Sequence, residues 1–384
     1  MIVKNEKDII LECLNSVYKY VDRYDITDTG STDGTQQIIK DFFEEKGIPG
    51  EVYQSDWKGF GDHAGKDGSR TESLRNCDDK AEYAWVIDAD DYIEVTNGKF
   101  EWPAVMDADS YVLRIQRGDF IWWRNQVFKT GKDINWRYIG VLHEYADCDK
   151  KEDRKTVKVD GDYHIVARTM GHERNQTQDH IQKYSRDAEV LLEALKEEPQ
   201  NHRYMFYLAQ SYFDSQQWDK AFDAYLTRVK AGGWEEEQWY SAYRMAIISS
   251  LEKRHFAEQS QLYLQAYSMR PHRAEPLWQL ARIHRQDRNE PRIAYLYAKT
   301  ASEISYPTDD ILFVSSEVYR WQALDEYAAC AFYNHDFVRG YQACESLLAN
   351  EHVPDTEKQR IRQNVEVYRT KLTELQNAHN ENVK

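Results

Sequence analysis

The sequence predicts an α/β domain with a mostly parallel sheet, followed by an all-α helical-repeat domain. Three observations predict it. Strand and helix patterns alternate over residues 1–170. Helical periodicity alone then runs over residues 178–370, and 371–384 is a polar tail. Two acidic stretches, Asp28-Thr29-Gly30-Ser31-Thr32-Asp33-Gly34 and Asp88-Ala89-Asp90-Asp91, each directly follow a strand pattern. Alternating strands and helices imply a parallel sheet covered by helices. The carboxyl edge of such a sheet is where ligands bind.

Each element has its own signal. Ile2-Val3 opens as a short strand, and Ile10, Leu14, Val17 and Val21 recur at helical spacing. The strand Tyr24 to Thr27 delivers the first acidic turn. Ile38, Ile39, Phe42 and Phe43 mark a helix that Gly47 and Pro49 end. Glu51 to Gln54 reads as a strand, Trp57 to Ser69 as a polar, Gly-rich loop, and Arg70 to Lys80 as a helix. The apolar run Tyr83 to Ile87 is the strand before the second acidic turn, and Tyr111 to Ile115 is another. In the second half, Ala209 with Tyr212, Ala221 with Tyr225, Ala246, Ala281, Ala294 with Tyr297, and Ala328 with Gly340 and Cys344 recur every helix pair. A period of about 34 residues is the tetratricopeptide signature. Small residues let paired helices approach, and the aromatics, including Trp218, Trp234, Trp239, Trp278 and Trp321, are expected to pack between them.

Bulk properties narrow the function. The chain has 384 residues, enough for two or three domains, and a net charge of -16. That acidity does not suit a general nucleic-acid binder. Cys13, Cys77, Cys148, Cys330 and Cys344 are scattered and form no CxxC pair, which argues against a disulfide framework or a structural zinc. The first residues lack the apolar run of a signal peptide, and no stretch approaches the roughly 20 apolar residues of a membrane span. The expectation is a soluble, cytoplasmic protein.

The two acidic turns carry the chemistry. Two carboxylates one residue apart at the end of a buried strand can hold a hard divalent cation through oxygen. Such a cation can grip a diphosphate, which points to a nucleotide-diphosphate-dependent transferase. The same residues also fit plainer roles: Asp in a surface turn, and Ser31, Thr32 and Asp33 as helix caps.

Lys4-Asn5-Glu6, the Asp28 to Thr35 segment, Arg70 and the Asp88-x-Asp90 pair occur in an order that resembles family 2 glycosyltransferases with the GT-A fold. Trp122-Trp123-Arg124-Asn125-Gln126, then Gly140-Val141-Leu142-His143-Glu144, look like a bacterial subgroup that often carries tetratricopeptide-like repeats. The resemblance implies a metal-dependent enzyme that moves a sugar from a nucleotide-diphosphate sugar, expected to be a UDP-sugar, to an acceptor with inversion. It places Mn²⁺ or Mg²⁺ on Asp88 and Asp90, with His143 either completing the metal shell or orienting Glu144. It places the nucleotide sugar against Asn5, Glu6, Asp28, Arg70 and Asp88. It makes Glu144 the catalytic base, with Asp91 as the fallback. The acceptor is left open among glycan, protein, lipid-linked glycan and modified nucleobase. The repeats would position it, bind a protein partner or self-associate.

Other residues carry weaker signals. Trp122, Trp123 and Trp136 fit either sugar stacking or domain core. His164 and His172 lie near the domain junction, and His63 lies in the Gly-rich loop. Two rival readings are a degenerate transferase domain that serves as a scaffold for the repeats, and a nucleotidyltransferase. The latter normally needs a basic, Gly-rich phosphate loop that Lys4-Asn5-Glu6 does not supply.

Overall fold

A computed structural model describes residues 1–96, 98, 100–117, 120–150, 154–168 and 180–382. The chain divides into two compact units, Met1–Tyr207 and Leu208–Lys384. The junction expected between residues 170 and 178 falls almost wholly within 169–179, outside the described residues, as does His172.

The first unit begins with three parallel strands, β1 (Ile2–Val3), β2 (Tyr24–Asp28) and β3 (Gly50–Gln54), paired in that order. Helix α1 (Ile10–Val17) and helix α2 (Thr35–Lys46) cover them. Their apolar residues meet Val3 and Ile26 in one core with Ile10, Leu14, Ile39, Phe42 and Phe43. Gly47 ends α2 in a left-handed conformation, as the sequence indicated.

After α3 (Ser69–Arg75) a second, mixed sheet follows. Its path is β4 (Tyr83–Trp85), β7 (Phe120–Lys129), β6 (Ser110–Arg117), β11 (Tyr163–Val166) and β5 (Tyr92–Val95). Strand β10 (Thr156–Lys158) pairs with β6, and β8 (Arg137–Ile139) with β9 (Tyr145–Asp147) forms a separate ribbon. The β6–β7 pairing is antiparallel, so parallel pairing here is confined to β6 with β10 and β11. Leu113, Ile115, Val127, Tyr163 and Ile165 make the core of this sheet.

The second unit is helical throughout its regular structure. Helices Trp218–Ala231, Glu235–Leu251, Phe256–Met269, Glu275–Arg282, Pro291–Glu303, Ala323–Ala331, Phe337–Ala349 and Asp355–Asn382 succeed one another. The small residues singled out by their spacing, Ala209, Ala221, Ala246, Ala281, Ala294, Ala328 and Cys344, are buried. Ala209 and Ala221 pack with Tyr225 and Ile248 in one cluster, and Ala281, Ala328 and Cys344 pack with Tyr327, Phe337 and Tyr368 in another. Buried small residues where successive helices touch are the pattern of stacked helical repeats. The segment from 371, polar as read, continues the last helix to Asn382. No described helix is long and apolar enough to cross a membrane.

Candidate active site

The strand ends deliver the acids. Asp28 ends β2 and is buried. Its Oδ1 accepts from the backbone N–H of Gly30 (2.9 Å) and Ser31 (2.8 Å) and from Gln36 Nε2 (3.0 Å). Gly30 and Gly34 both take positive φ, 107° and 96°, which lets the chain reverse around this carboxylate. Asp28 Oδ2 is buried without a hydrogen-bond partner among the described residues. A buried carboxylate oxygen without a donor is unfavourable and suits an incoming N–H.

Of the expected caps Ser31, Thr32 and Asp33, Asp33 Oδ1 accepts from the N–H of Thr35, the first residue of α2 (3.0 Å), and these residues, with Thr35, also bind the loop after β1. The N-cap position itself is Gly34, with no side-chain cap. Ser31 Oγ accepts from the Asn5 N–H (2.8 Å), Thr35 Oγ1 from the Glu6 N–H (2.8 Å) and Asp33 Oδ2 from the Lys7 N–H (3.2 Å). Asn5 Oδ1 in return accepts from the Thr32 N–H at 2.8 Å, with Asn5 itself at φ 56°. The loop after β1 is thereby stapled to the turn after β2.

The second turn carries Asp88, Asp90 and Asp91. Arg70 of α3 places Nη1 2.7 Å from Asp88 Oδ1 and Nε 2.6 Å from Glu144 Oε1. The first contact is a hydrogen-bonded ion pair; the second is a close ion pair without hydrogen-bond alignment. Arg124 of β7 approaches Asp88 (3.5 Å) and Asp91 (3.4 Å). Burial pushes the Asp88 carboxyl up, but Arg70 and Arg124 outweigh it and hold Asp88 well below the usual carboxylate range. Asp91 goes the other way. Burial, then the charges of Asp88 and Asp90, raise it to about 7 against the pull of Arg124. Glu6 is likewise raised to about 7, by burial and then by Asp90 and Asp33. Glu6 therefore feels acids of both turns at once, so the two stretches meet at one place.

Asn5, Glu6, Asp28, Arg70, Asp88, Asp90, Asp91 and Glu144 thus belong to one connected cluster. His143 does not join it as expected. Its ring stacks on Tyr207, centroids 3.9 Å apart and 11° from parallel. Its carbonyl accepts from Arg203 Nη2 (2.8 Å), and its own φ is 52°. Desolvation of the ring against Tyr207, then the charges of Arg203 and Lys183, lower it to about 4, although the residue as a whole is exposed. Among the described residues no group of three or more His, Cys, Asp or Glu is placed to hold a metal ion.

Trp136 is 4% exposed and packs on Phe128 at 4.8 Å, which makes it core. Trp122 is 37% exposed, and Trp123 lies between Arg114 and Lys158. His164 faces Glu94. His63 pairs with Glu197 (3.1 Å) and Glu198 (2.9 Å), which anchors its loop. Arg124 is the residue that sequence reasoning missed. It sits in the Trp-Trp-Arg segment, but only the pairing of β7 with β4 brings it to the acids.

Residues 1–97 match the family model described as Glycosyl transferase family 2. That segment holds Asn5, Glu6, Asp28, Arg70, Asp88, Asp90 and Asp91; Arg124, His143 and Glu144 lie beyond it. The match is confined to residues 1–97, and the helical unit lies outside it. No curated protein sequence matches the chain. Among solved structures it is similar to S. aureus TarS 1-349 in complex with UDP-GlcNAc, at 14% identity over 66% of this chain and 90% of that one, TM-score 0.37. BtubC from P. vanneervenii is 16% identical over 52% of this chain and 85% of that one, TM-score 0.38. MamA from Desulfovibrio magneticus RS-1 is 10% identical over 46% and 98%, TM-score 0.33.

Proposed function

We propose that the chain is a metal-dependent glycosyltransferase that moves a sugar from a nucleotide-diphosphate sugar, a UDP-sugar in the first instance, to an acceptor with inversion. One observation carries this reading: Arg70 joins the acid after β4 to Glu144 while Glu6, Asp90 and Asp91 crowd negative charge beside it. A site that gathers acids against their mutual repulsion is prepared for a cationic ligand.

The donor set fits a divalent ion that also takes oxygens from the substrate, since Mg²⁺ is commonly held by one or two carboxylates plus phosphates. Mn²⁺ or Mg²⁺ would rest on Asp88 and Asp90, and when bound would neutralise charge on the leaving diphosphate.

The chain's own residues do the rest. The Asp28 Oδ2 acceptor orients the nucleobase through one N–H. Arg70 and Arg124 stabilise negative charge developing beside Asp88. Glu144 takes the acceptor's proton as the nucleophile attacks the anomeric carbon, and Asp91 is the alternative base. Arg70 holds the Glu144 carboxylate in place until substrate arrives. The helical unit positions the acceptor, binds a protein partner or self-associates.

The test is a donor panel of nucleotide sugars with Mn²⁺, in which released nucleoside diphosphate is measured. Nucleoside diphosphate release that Glu144→Gln removes supports transfer with Glu144 as base. Pyrophosphate release indicates a nucleotidyltransferase. Absence of any donor cleavage across the panel favours a binding role for the domain.

A further inference from the structure

Glu144 lies in the turn 140–144 between β8 and β9, closed by the pairing of Ile139 with Tyr145. The turn is not relaxed. Gly140 takes φ 115° and His143 takes φ 52°. A residue with a side chain stays in that left-handed region only where its surroundings hold it there. Those surroundings come from the start of one helix, His202–Asp214.

Arg203 grips both neighbours of Glu144. Its Nη2 and Nε donate to the His143 carbonyl at 2.8 and 3.2 Å. Its guanidinium lies 5.0 Å from the centre of the Tyr145 ring and 4.9 Å from that of Tyr207. The Tyr207 ring in turn stacks on His143. Tyr204 is buried, and its hydroxyl accepts from the Val141 N–H at 3.3 Å and lies 3.2 Å from His63 Nδ1. Val141, His143 and Tyr145 are thus held from one helix, while the Glu144 carboxylate faces Arg70. All of these residues belong to the first unit. The contacts differ in strength. A hydrogen bond from a charged donor is about twice as strong as a neutral one, and Arg203 commits two N–H groups to one carbonyl. The Tyr204 bond is neutral and long. Arg203 is therefore the main restraint and Tyr204 the lesser one.

We propose that Arg203 is a positioning residue for glycosyl transfer. It fixes the backbone on both sides of Glu144, so that the carboxylate meets the acceptor's nucleophile in one geometry. This inference rests on Glu144 as the base. A general base works only within hydrogen-bond reach of the proton it takes. A displacement of about 1 Å can cost about 100-fold in rate. Arg203 acts through the turn and not on the substrates, so its loss lowers turnover without loosening the donor.

The test compares wild type with Arg203→Met, Arg203→Lys, Tyr204→Phe, Glu144→Gln and the double variant Arg203→Met/Glu144→Gln. kcat and donor KM are measured with Mn²⁺ and the nucleotide sugar that wild type cleaves in the panel above. Arg203→Met is expected to lower kcat about 100-fold at unchanged donor KM. Arg203→Lys keeps the charge and is expected to fall between Arg203→Met and wild type. Tyr204→Phe removes one hydroxyl and is expected to lose less than Arg203→Met. The double variant is expected to be no slower than Glu144→Gln alone, because Arg203 then has no base left to position. A mere loss of folded protein would instead multiply the Glu144→Gln defect. If Arg203→Met does not fold, Arg203→Lys and Tyr204→Phe carry the same comparison with Glu144→Gln. Full turnover by Arg203→Met, or losses that multiply in the double variant, overturns this proposal and leaves the base assignment standing. Full turnover by Glu144→Gln, or a wild type that cleaves no donor, overturns both.

Discussion

Asp88 and Glu144 share one guanidinium: Arg70 reaches the first at 2.7 Å and the second at 2.6 Å. All three side chains are largely buried, with 15% of the Arg70 side chain exposed. Removing the cation strands Glu144 and leaves Asp88 only the longer contact with Arg124. Arg70→Met is expected to destabilise the first unit by about 3–5 kcal/mol, the usual penalty for breaking a buried pair on one side. Arg70→Lys keeps the charge but loses the planar fork, so it is expected to fold better yet transfer poorly. Urea denaturation of both variants beside wild type checks the first expectation, and donor turnover checks the second.

Asp28 makes a separate prediction. Its Oδ1 is committed to the turn, and its Oδ2 is buried without a partner. Asp28→Asn keeps the shape but offers an N–H where an acceptor is needed. It is expected to weaken nucleotide affinity about tenfold, the scale of one lost buried hydrogen bond. Titration calorimetry with UDP measures this. An unchanged Kd would move the nucleobase away from β2.

His143 gives the pH dependence. Its folded pKa, about 4, lies below its ordinary value because its ring is desolvated against Tyr207 and faces Arg203 and Lys183, though the residue as a whole is exposed. The unfolded chain binds the proton more tightly, so stability rises with pH between about 4 and 6.5 and is lost as pH falls through that window. Glu6 acts with the opposite sign. Its pKa is raised to about 7, so its contribution is present at low pH and lost as pH rises toward 7. His143→Asn, which also tolerates the left-handed backbone, is expected to lose the first slope and keep the second. Tm recorded from pH 4 to pH 8 separates the two.

The sequence made the acids legible because each follows an apolar strand, and a strand end fixes where the next residues lie. It also made the repeats legible, since Ala209, Ala221, Ala281 and Ala328 must be small wherever helices touch. It did not reveal what Ser31, Asp33 and Thr35 hold, because a capping pattern and a loop staple use the same residue types. Arg124 stayed hidden because strand pairing is a tertiary fact. The environment of His143 comes from Arg203 and Tyr207, far along the chain, and no local pattern anticipates them.

The helical unit has its own buried ion network. Arg273 is fully buried, stacked 3.8 Å over Trp239 and paired with Glu275 (2.7 Å) and Asp310 (3.1 Å). Arg273→Ala is expected to cost about 3–5 kcal/mol, because Glu275 is left buried without a cation while Asp310 keeps only Arg270 and His272. Gly340→Ala drives its Cβ into the Tyr368 ring and is expected to cost about 1–3 kcal/mol by overpacking. Chemical denaturation followed by circular dichroism reads both.

The most direct measurement of the catalytic account is the thermal shift produced by UDP with and without Mn²⁺, in wild type and in Asp90→Asn. The account predicts that UDP raises Tm by several degrees more with Mn²⁺ than with EDTA, as expected when ligand and ion bind the folded state together. It predicts that Asp90→Asn loses that difference while it retains the wild-type fold. An equal shift in EDTA, or a full Mn²⁺-dependent shift in Asp90→Asn, would contradict it.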